Sequence, residues 1–178
     1  LSSPSFCAGL LLTLAIATVS TLLAAALALA TAMLLRRSFT GSRLLTFIYQ
    51  VPLPVPHLVA AAGLIMLLTQ SGIVARLLYG WGAIAGPGQF PPVFYDRLST
   101  GIVLVYVWKE LPFIGLVLLA VLKGIGADYE ESARTLGASP WQRFRYVLLP
   151  LMGPGLLSTA VIVFAFMFGS FEIPLLLG

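Results

Sequence analysis

Charge is what this chain of 178 residues lacks most. Asp, Glu, Lys and Arg together make up 9% of it, against 60% hydrophobic residues, whereas soluble domains carry about 25% charged residues. So little charge cannot coat a water-exposed globule, which excludes a soluble enzyme or soluble binding module and leaves a bilayer as the fitting solvent. Cysteine is nearly absent as well. A single Cys7 excludes an intramolecular disulfide framework or a thiolate metal cluster within one chain, and it reads as a small apolar filler. Histidine occurs once, as His57 beside Pro56. With no second His, no Cys and no clustered carboxylates at ligand spacing, no metal site is expected. No Ser-His-Asp arrangement can be built around it, and His57 is expected at a membrane interface. The phosphate loop Gly-x-x-x-x-Gly-Lys is missing, and Lys123-Gly124-Ile125-Gly126 is no substitute. Any ATP must therefore bind another chain, and no cofactor is called for. Internal repeats and low-complexity tails are absent too.

What is present is long apolar runs. At about 20 residues per spanning helix the chain holds about four, expected at residues 6–35, 56–69, 98–122 and 156–170, in a single transmembrane domain. The first closes at Arg36-Arg37. The second is interrupted by Pro52, Pro54 and Pro56, which remove amide donors and disfavour helix at each preceding residue. Either a helix starts at Pro56, a favourable first position, with 44–50 near the interface, or a broken helix is tolerated where protein satisfies its free carbonyls. The first arrangement is preferred. Residues 71–99 are dense in Gly, Pro, Trp and Tyr and are expected to form a loop at a membrane surface, with Tyr79, Trp81 and Tyr95 at headgroup level.

The basic residues sort by side. Arg36, Arg37, Arg43, Lys123, Arg134, Arg143 and Arg145 fall in the two connections that parity places together, whereas Arg76 and Arg97 fall in the other. The excess marks the cytoplasmic side, which makes residues 123–150 a cytoplasmic loop and 86–96 external. The net charge of +4 is thus a topology signal, and no nucleic-acid partner is expected.

Within the polar loop, two helix starts are written. Asp128 with Glu131 three residues later has capping-box spacing, with acidic residues in the first turn where the helix dipole favours them. Gly137 supplies a left-handed residue that ends that helix. Ser139 then caps a second, with Pro140 first and Gln142 third. A helix so short needs an external surface to hold it. The plain alternative is a solvated connection whose charges only set topology.

Glu131-Ser132-Ala133, then Gly137, then Val147-x-Leu149-Pro150 resembles the cytoplasmic Glu-Ala-Ala loop of the permease subunits of bacterial ATP-binding-cassette importers, with Ser132 for the usual Ala and Val147 for Ile. Pro52-Leu53-Pro54-Val55-Pro56-His57, Trp108-Lys109-Glu110-Leu111-Pro112-Phe113 and Phe168-Gly169-Ser170-Phe171-Glu172-Ile173-Pro174 extend the likeness to the polyamine, iron, thiamine and sulfate group. The resemblance implies an all-α integral membrane protein of the type I importer fold in the bacterial inner membrane. It also implies no catalysis by this chain. The expected partners are ABC ATPase subunits, a second permease subunit and an extracytoplasmic solute-binding protein, around an inward path for a small solute. Carried over, Glu131 faces a basic group of the ATPase, Ala133 permits close approach, Gly137 provides the turn, Leu149 and Pro150 mark re-entry into the membrane, and Ser132 and Ala138 belong to the same docking loop. The rival readings are a passive channel, a scaffold or a polytopic membrane enzyme with no ATPase to meet.

Lys109 and Glu110 lie inside the third span, where charge is costly and faces protein or water. They either pack the bundle or line the path. Being adjacent, they point about 100° apart on a helix, so separate partners are expected, Tyr106 one turn back among those in reach of Glu110. Glu172, before Pro174, is either a contact for a cationic solute or an interfacial residue. Gly63, Gly153 and Gly155 are expected at close helix contacts. The start at Leu1-Ser2-Ser3-Pro4 has no charged leader and is not expected to be a signal peptide, and the hydrophobic end at Gly178 is expected to be that of a fragment lacking a last span.

Overall fold

The computed structural model describes residues 4–36, 39–96, 99–125 and 128–177. Arg37, Arg97, Leu98, Gly126, Ala127 and Gly178, which entered the reading above, lie outside them. The chain is helical: α1 (Pro4–Leu35), α2 (Ser42–Gln50), α3 (His57–Leu68), α4 (Ile73–Gly80), α5 (Thr100–Ile125), α6 (Asp128–Thr135), α7 (Pro140–Arg143), α8 (Leu149–Gly169) and α9 (Glu172–Leu177), with a single 3₁₀ turn at Pro87–Gln89. Among the described residues, four stretches are long and apolar enough to cross a membrane: Pro4–Leu35, His57–Gly80, Thr100–Ile125 and Pro140–Gly169.

α5 is the central post. More than half of its most apolar stretch, 56%, is buried, against 22–28% in the other three. It packs against α1 and α8, which also touch each other. α1 meets it along Ala17, Thr21, Ala24, Ala28 and Ala32, three or four residues apart on one face, and such small side chains let backbones approach where lipid supplies no hydrophobic drive. Across from them lie Ile102, Val105, Ile114 and Leu118 of α5 and Met152, Val163 and Met167 of α8. The outward faces carry Leu11, Leu22, Met66 and Leu157, all largely exposed, as a lipid-facing surface requires.

Two expectations change. The stretch from Ser71 is not all loop, because it begins with α4. Gly72 makes the turn into it: a Cβ there would lie 2.6 Å from the Leu67 carbonyl oxygen. Farther along, Phe90 and Phe94 tuck back into the protein while Tyr79, Trp81 and Tyr95 stay exposed. Of the glycines expected at close contacts, only Gly155 has a neighbour, Val121, within 4 Å of an added Cβ, while Gly63 and Gly153 face open space. The tight seats are Gly115, where a methyl group would overlap the Tyr49 hydroxyl, and Gly101, where it would overlap the Phe94 ring.

The prolines follow the preferred reading: α3 starts at His57 with Pro56 as its N-cap and ends at Leu68. α3 alone, 12 residues, rises about 18 Å, well short of a hydrocarbon core of about 30 Å, and the turn at 69–72 separates it from α4. Side chains of α2, of the proline segment and of α3 are each fastened to α5. The Tyr49 hydroxyl donates to the Leu111 carbonyl at 2.8 Å, the Lys109 ammonium to the Leu53 carbonyl at 3.2 Å, and His57 meets Glu110 at 2.9 Å. α3 thus begins where the sequence reading preferred, with Pro56 as its N-cap, and the segment before it is held by Lys109 from the middle of α5.

Candidate functional site

The polar segment between α5 and α8 folds as a capped helix pair. Asp128, Glu130 and Glu131 occupy the first turn of α6 and Arg134 its last, each sign at the end of the dipole that favours it. Asp128 is helical, and the residue before it lies outside the described residues. Glu131 does not reach back to a cap either: its carboxylate accepts from Arg134 at 2.9 Å. The other end of α6 follows the sequence closely. Gly137 has φ +81°. The Gly137 N–H donates to Arg134 and the Ala138 N–H to Ala133, both at 3.0 Å, the paired bonds of a Schellman ending. Ser139 and Gln142 then form a complete capping box with Pro140 at the first position.

α7 does not stop before α8. Pro150 has no N–H for the carbonyl one turn back, and its ring crowds that carbonyl. The chain widens through a π turn at Phe144–Leu148, in which the Leu149 N–H reaches Phe144, and continues into α8. Leu149 is half-buried and Pro150 exposed. The helix pair is thus one rigid extension of a long apolar helix.

Glu130, which the sequence reading passed over in favour of its neighbour, anchors the pair. Its carboxylate accepts from both terminal nitrogens of Arg36, at 2.6 and 3.1 Å, and lies 3.5 Å from Arg143. These side chains are only 19–24% exposed, and a bidentate charge-assisted pair is the strong kind. α6 and α7 are thereby tied to the end of α1. A clue was available, since Arg36 and the loop share a side by charge count.

The outer surface of the pair is apolar where a free loop would be polar. Leu136 is 88% exposed, and Tyr129, Trp141 and Tyr146 are exposed with it. Beside them, Ala133, Leu136, Gly137, Ala138, Gln142, Tyr146 and Val147 line an open depression of about 410 Å³. Glu131 and Ser132 are exposed on the same pair.

A second polar cluster lies inside the bundle. Lys109 and Glu110 are 7% and 8% exposed and take separate partners, as their angular offset requires. Lys109 holds the Leu53 carbonyl, which Pro56 three residues on cannot serve. Glu110 pairs with His57 and not with Tyr106. His57 is therefore not a bare interfacial residue: its ring also packs on Phe166 of α8, centroids 4.8 Å apart. Glu172 opens α9 and is exposed, apart from this cluster's contacts. Among the described residues no group of three His, Cys, Asp or Glu could hold a metal ion.

Four helices able to cross a bilayer, with a rigid polar helix pair projecting from two of them, define a polytopic membrane protein. The family described as "Binding-protein-dependent transport system inner membrane component" matches residues 20–178, and the chain belongs to it. Its relatives include the molybdenum transport system permease protein ModB of Haemophilus influenzae, 31% identical over 161 residues, covering 90% of this chain and 66% of that protein. The inner membrane ABC transporter permease protein YdcU of Escherichia coli is 31% identical over 180 residues, 95% of this chain and 56% of that protein. The sulfate transport system permease protein CysT of Salmonella typhimurium is 32% identical over 139 residues, 78% and 46%. The chain spans about half to two thirds of the length of these relatives.

Proposed function

We propose that this chain is the membrane-spanning permease subunit of an ATP-driven importer, and that α6, the Gly137 turn and α7 dock on a separate ATPase subunit. The observation that carries this is Leu136: a leucine 88% exposed on a turn fixed by a Schellman ending and a capping box, clamped to α1 through Glu130. A connection that only sets topology needs neither the rigid turn nor the apolar surface. Exposed apolar side chains on a rigid support mark an interface. Movement of a docked ATPase would pass directly into α8, with which α7 is continuous.

In this arrangement Glu131 meets a basic group of the ATPase, Ser132 and Ala133 allow close approach, and Leu149 and Pro150 mark the return to the membrane. α1, the α2–α3 pair, α5 and α8 cross the bacterial inner membrane, a second permease subunit completes the path, and a solute-binding protein delivers cargo outside. Glu110 is engaged by His57, which removes half the support for a cationic cargo and leaves only Glu172. The names of the relatives, molybdenum and sulfate systems, favour a small inorganic solute instead.

The test is co-purification of the ATPase with the full-length permease, comparing the wild type with Glu131→Arg, Leu136→Asp and a two-residue insertion at Gly137. Loss of the ATPase in each variant, with the permease still in the membrane, is the expected result. Its retention in all three contradicts the docking assignment.

A further inference from the structure

Two adjacent charges on α5 grip the same defect in the neighbouring helix, one on each side of it. We infer that the proline break between α2 and α3 is a hinge that bends during the transport cycle, and that Lys109, Glu110 and His57 are the positioning residues that hold it in the present conformation. This rests on the permease reading above.

The break is weakly held by its own chain. Pro52, Pro54 and Pro56 have no N–H, and 51–55 keeps only isolated turn bonds: Val51 to Ile48 at 3.2 Å, Leu53 to Gln50 at 3.0 Å and Val55 to Pro52 at 3.3 Å. A helix with its ladder interrupted three times resists bending little. α3 also packs on α9 and α2 on α1, and the hydrogen bonds that span the break come from α5. α2 is fastened by Tyr49 on the Leu111 carbonyl, the break by Lys109 on the Leu53 carbonyl, and the start of α3 by His57 on Glu110.

Burial gives these contacts their weight. A free carbonyl in apolar surroundings is costly, so Leu53 needs Lys109, and an ammonium 7% exposed needs an acceptor. Yet each link is one flexible side chain on one oxygen, which can let go and be replaced by another polar group. A continuous helix offers no such exchange. Motion also has a route to the hinge: Phe166 of α8 lies on the His57 ring, and α8 is continuous through the π turn with the helix pair at the other end. A shift of α8 therefore presses on the residue that locks α3 to α5.

The experiment uses the full-length permease assembled with its ATPase in lipid nanodiscs, in a cysteine-free background that includes Cys7→Ser, with spin labels at Leu22→Cys of α1 and Met66→Cys of α3, both exposed positions. A bend of about 10° swings the end of α3, about 18 Å long, by about 3 Å. The label separation is expected to change by up to about that much between the nucleotide-free and nucleotide-trapped states. Lys109→Gln and Glu110→Gln are expected to erase the difference and to lower ATP-driven uptake by about tenfold or more while the ATPase stays bound. Lys109→Arg, which can still donate to Leu53, retains both. An unchanged separation between the two states in an assembly that pumps overturns the hinge, as does uptake within about twofold of wild type in both Gln variants. Because the wild-type comparison needs no core substitution, it stands even if a variant fails to assemble. Absence of ATPase binding or ATP-driven uptake in the wild type would instead sink the permease reading itself.

Discussion

Replacing Glu130 by Gln cuts the tie between the helix pair and α1, and its cost can be worked from the geometry. A surface ion pair is worth about 0–1 kcal/mol, because solvent screens it and two long side chains must be ordered. Hydrogen bonds to charged groups contribute about 1.5–3 kcal/mol when shielded. Glu130 and Arg36 lie between these limits, 24% and 19% exposed, with two bonds at 2.6 and 3.1 Å. A coupling energy of about 1–2 kcal/mol follows, a factor of about 5–30 in an equilibrium constant. The ion pair next to it in sequence is the control. Arg134 and Glu131 are 66% and 63% exposed at the same 2.9 Å class of distance, and such a helical pair is worth about 0.3–0.5 kcal/mol. Two double-mutant cycles, Glu130→Gln with Arg36→Gln and Glu131→Gln with Arg134→Gln, measured by reversible unfolding of the full-length protein in mixed micelles, separate them. Arg143, 3.5 Å from Glu130, keeps part of its hold in the Arg36 variant, so the single Arg36→Gln costs less than Glu130→Gln. If the two cycles return equal coupling energies, the half-buried clamp does not anchor the pair and the reasoning fails.

Gly115→Ala drives a methyl group into the Tyr49 hydroxyl, which also accepts from Thr31 at 3.2 Å while donating to Leu111; overpacking of this kind costs about 1–3 kcal/mol. Adding Tyr49→Phe removes the overlapping oxygen, and the double variant should lose less stability than the two single losses summed; strict additivity would refute the contact. Gly137→Ala meets no atom within 4 Å, so its penalty is the left-handed backbone alone, about 1–2 kcal/mol. Faster amide exchange at 136–138 is expected there, and unchanged exchange would argue against the Schellman ending. Gly124→Ala, in an equally open place but inside α5, should not destabilise, since alanine is the better helix former.

The helix pair was legible because its signals are local. Gly137, Ser139, Pro140 and Gln142 specify an ending and a start through their own backbones and the next three residues, and no distant contact is needed to interpret them. The first-turn acids were legible as dipole partners too, but Glu131 could not be ranked over Glu130 from the sequence. That ranking depends on which carboxylate faces Arg36, 94 residues away. α4 was missed because the Gly, Trp and Tyr residues around it favour a turn, although the close approach at Gly72, to the Leu67 carbonyl, is itself local.

By itself, the sequence determined that this protein is built of apolar helices in a bilayer, where the scarcity of charge allows no other solvent, and that a doubly capped polar pair interrupts them. The start of α3 at Pro56 was among these local signals. Only the tertiary structure decided what holds the proline segment before it, which depends on whether another element supplies a donor to the carbonyl left orphaned there. Lys109 does so from α5, 56 residues from Leu53, and His57 becomes the partner of Glu110 for the same reason. Such pairings are set by which helix faces are buried together, a property of three packed helices that no window of one of them contains.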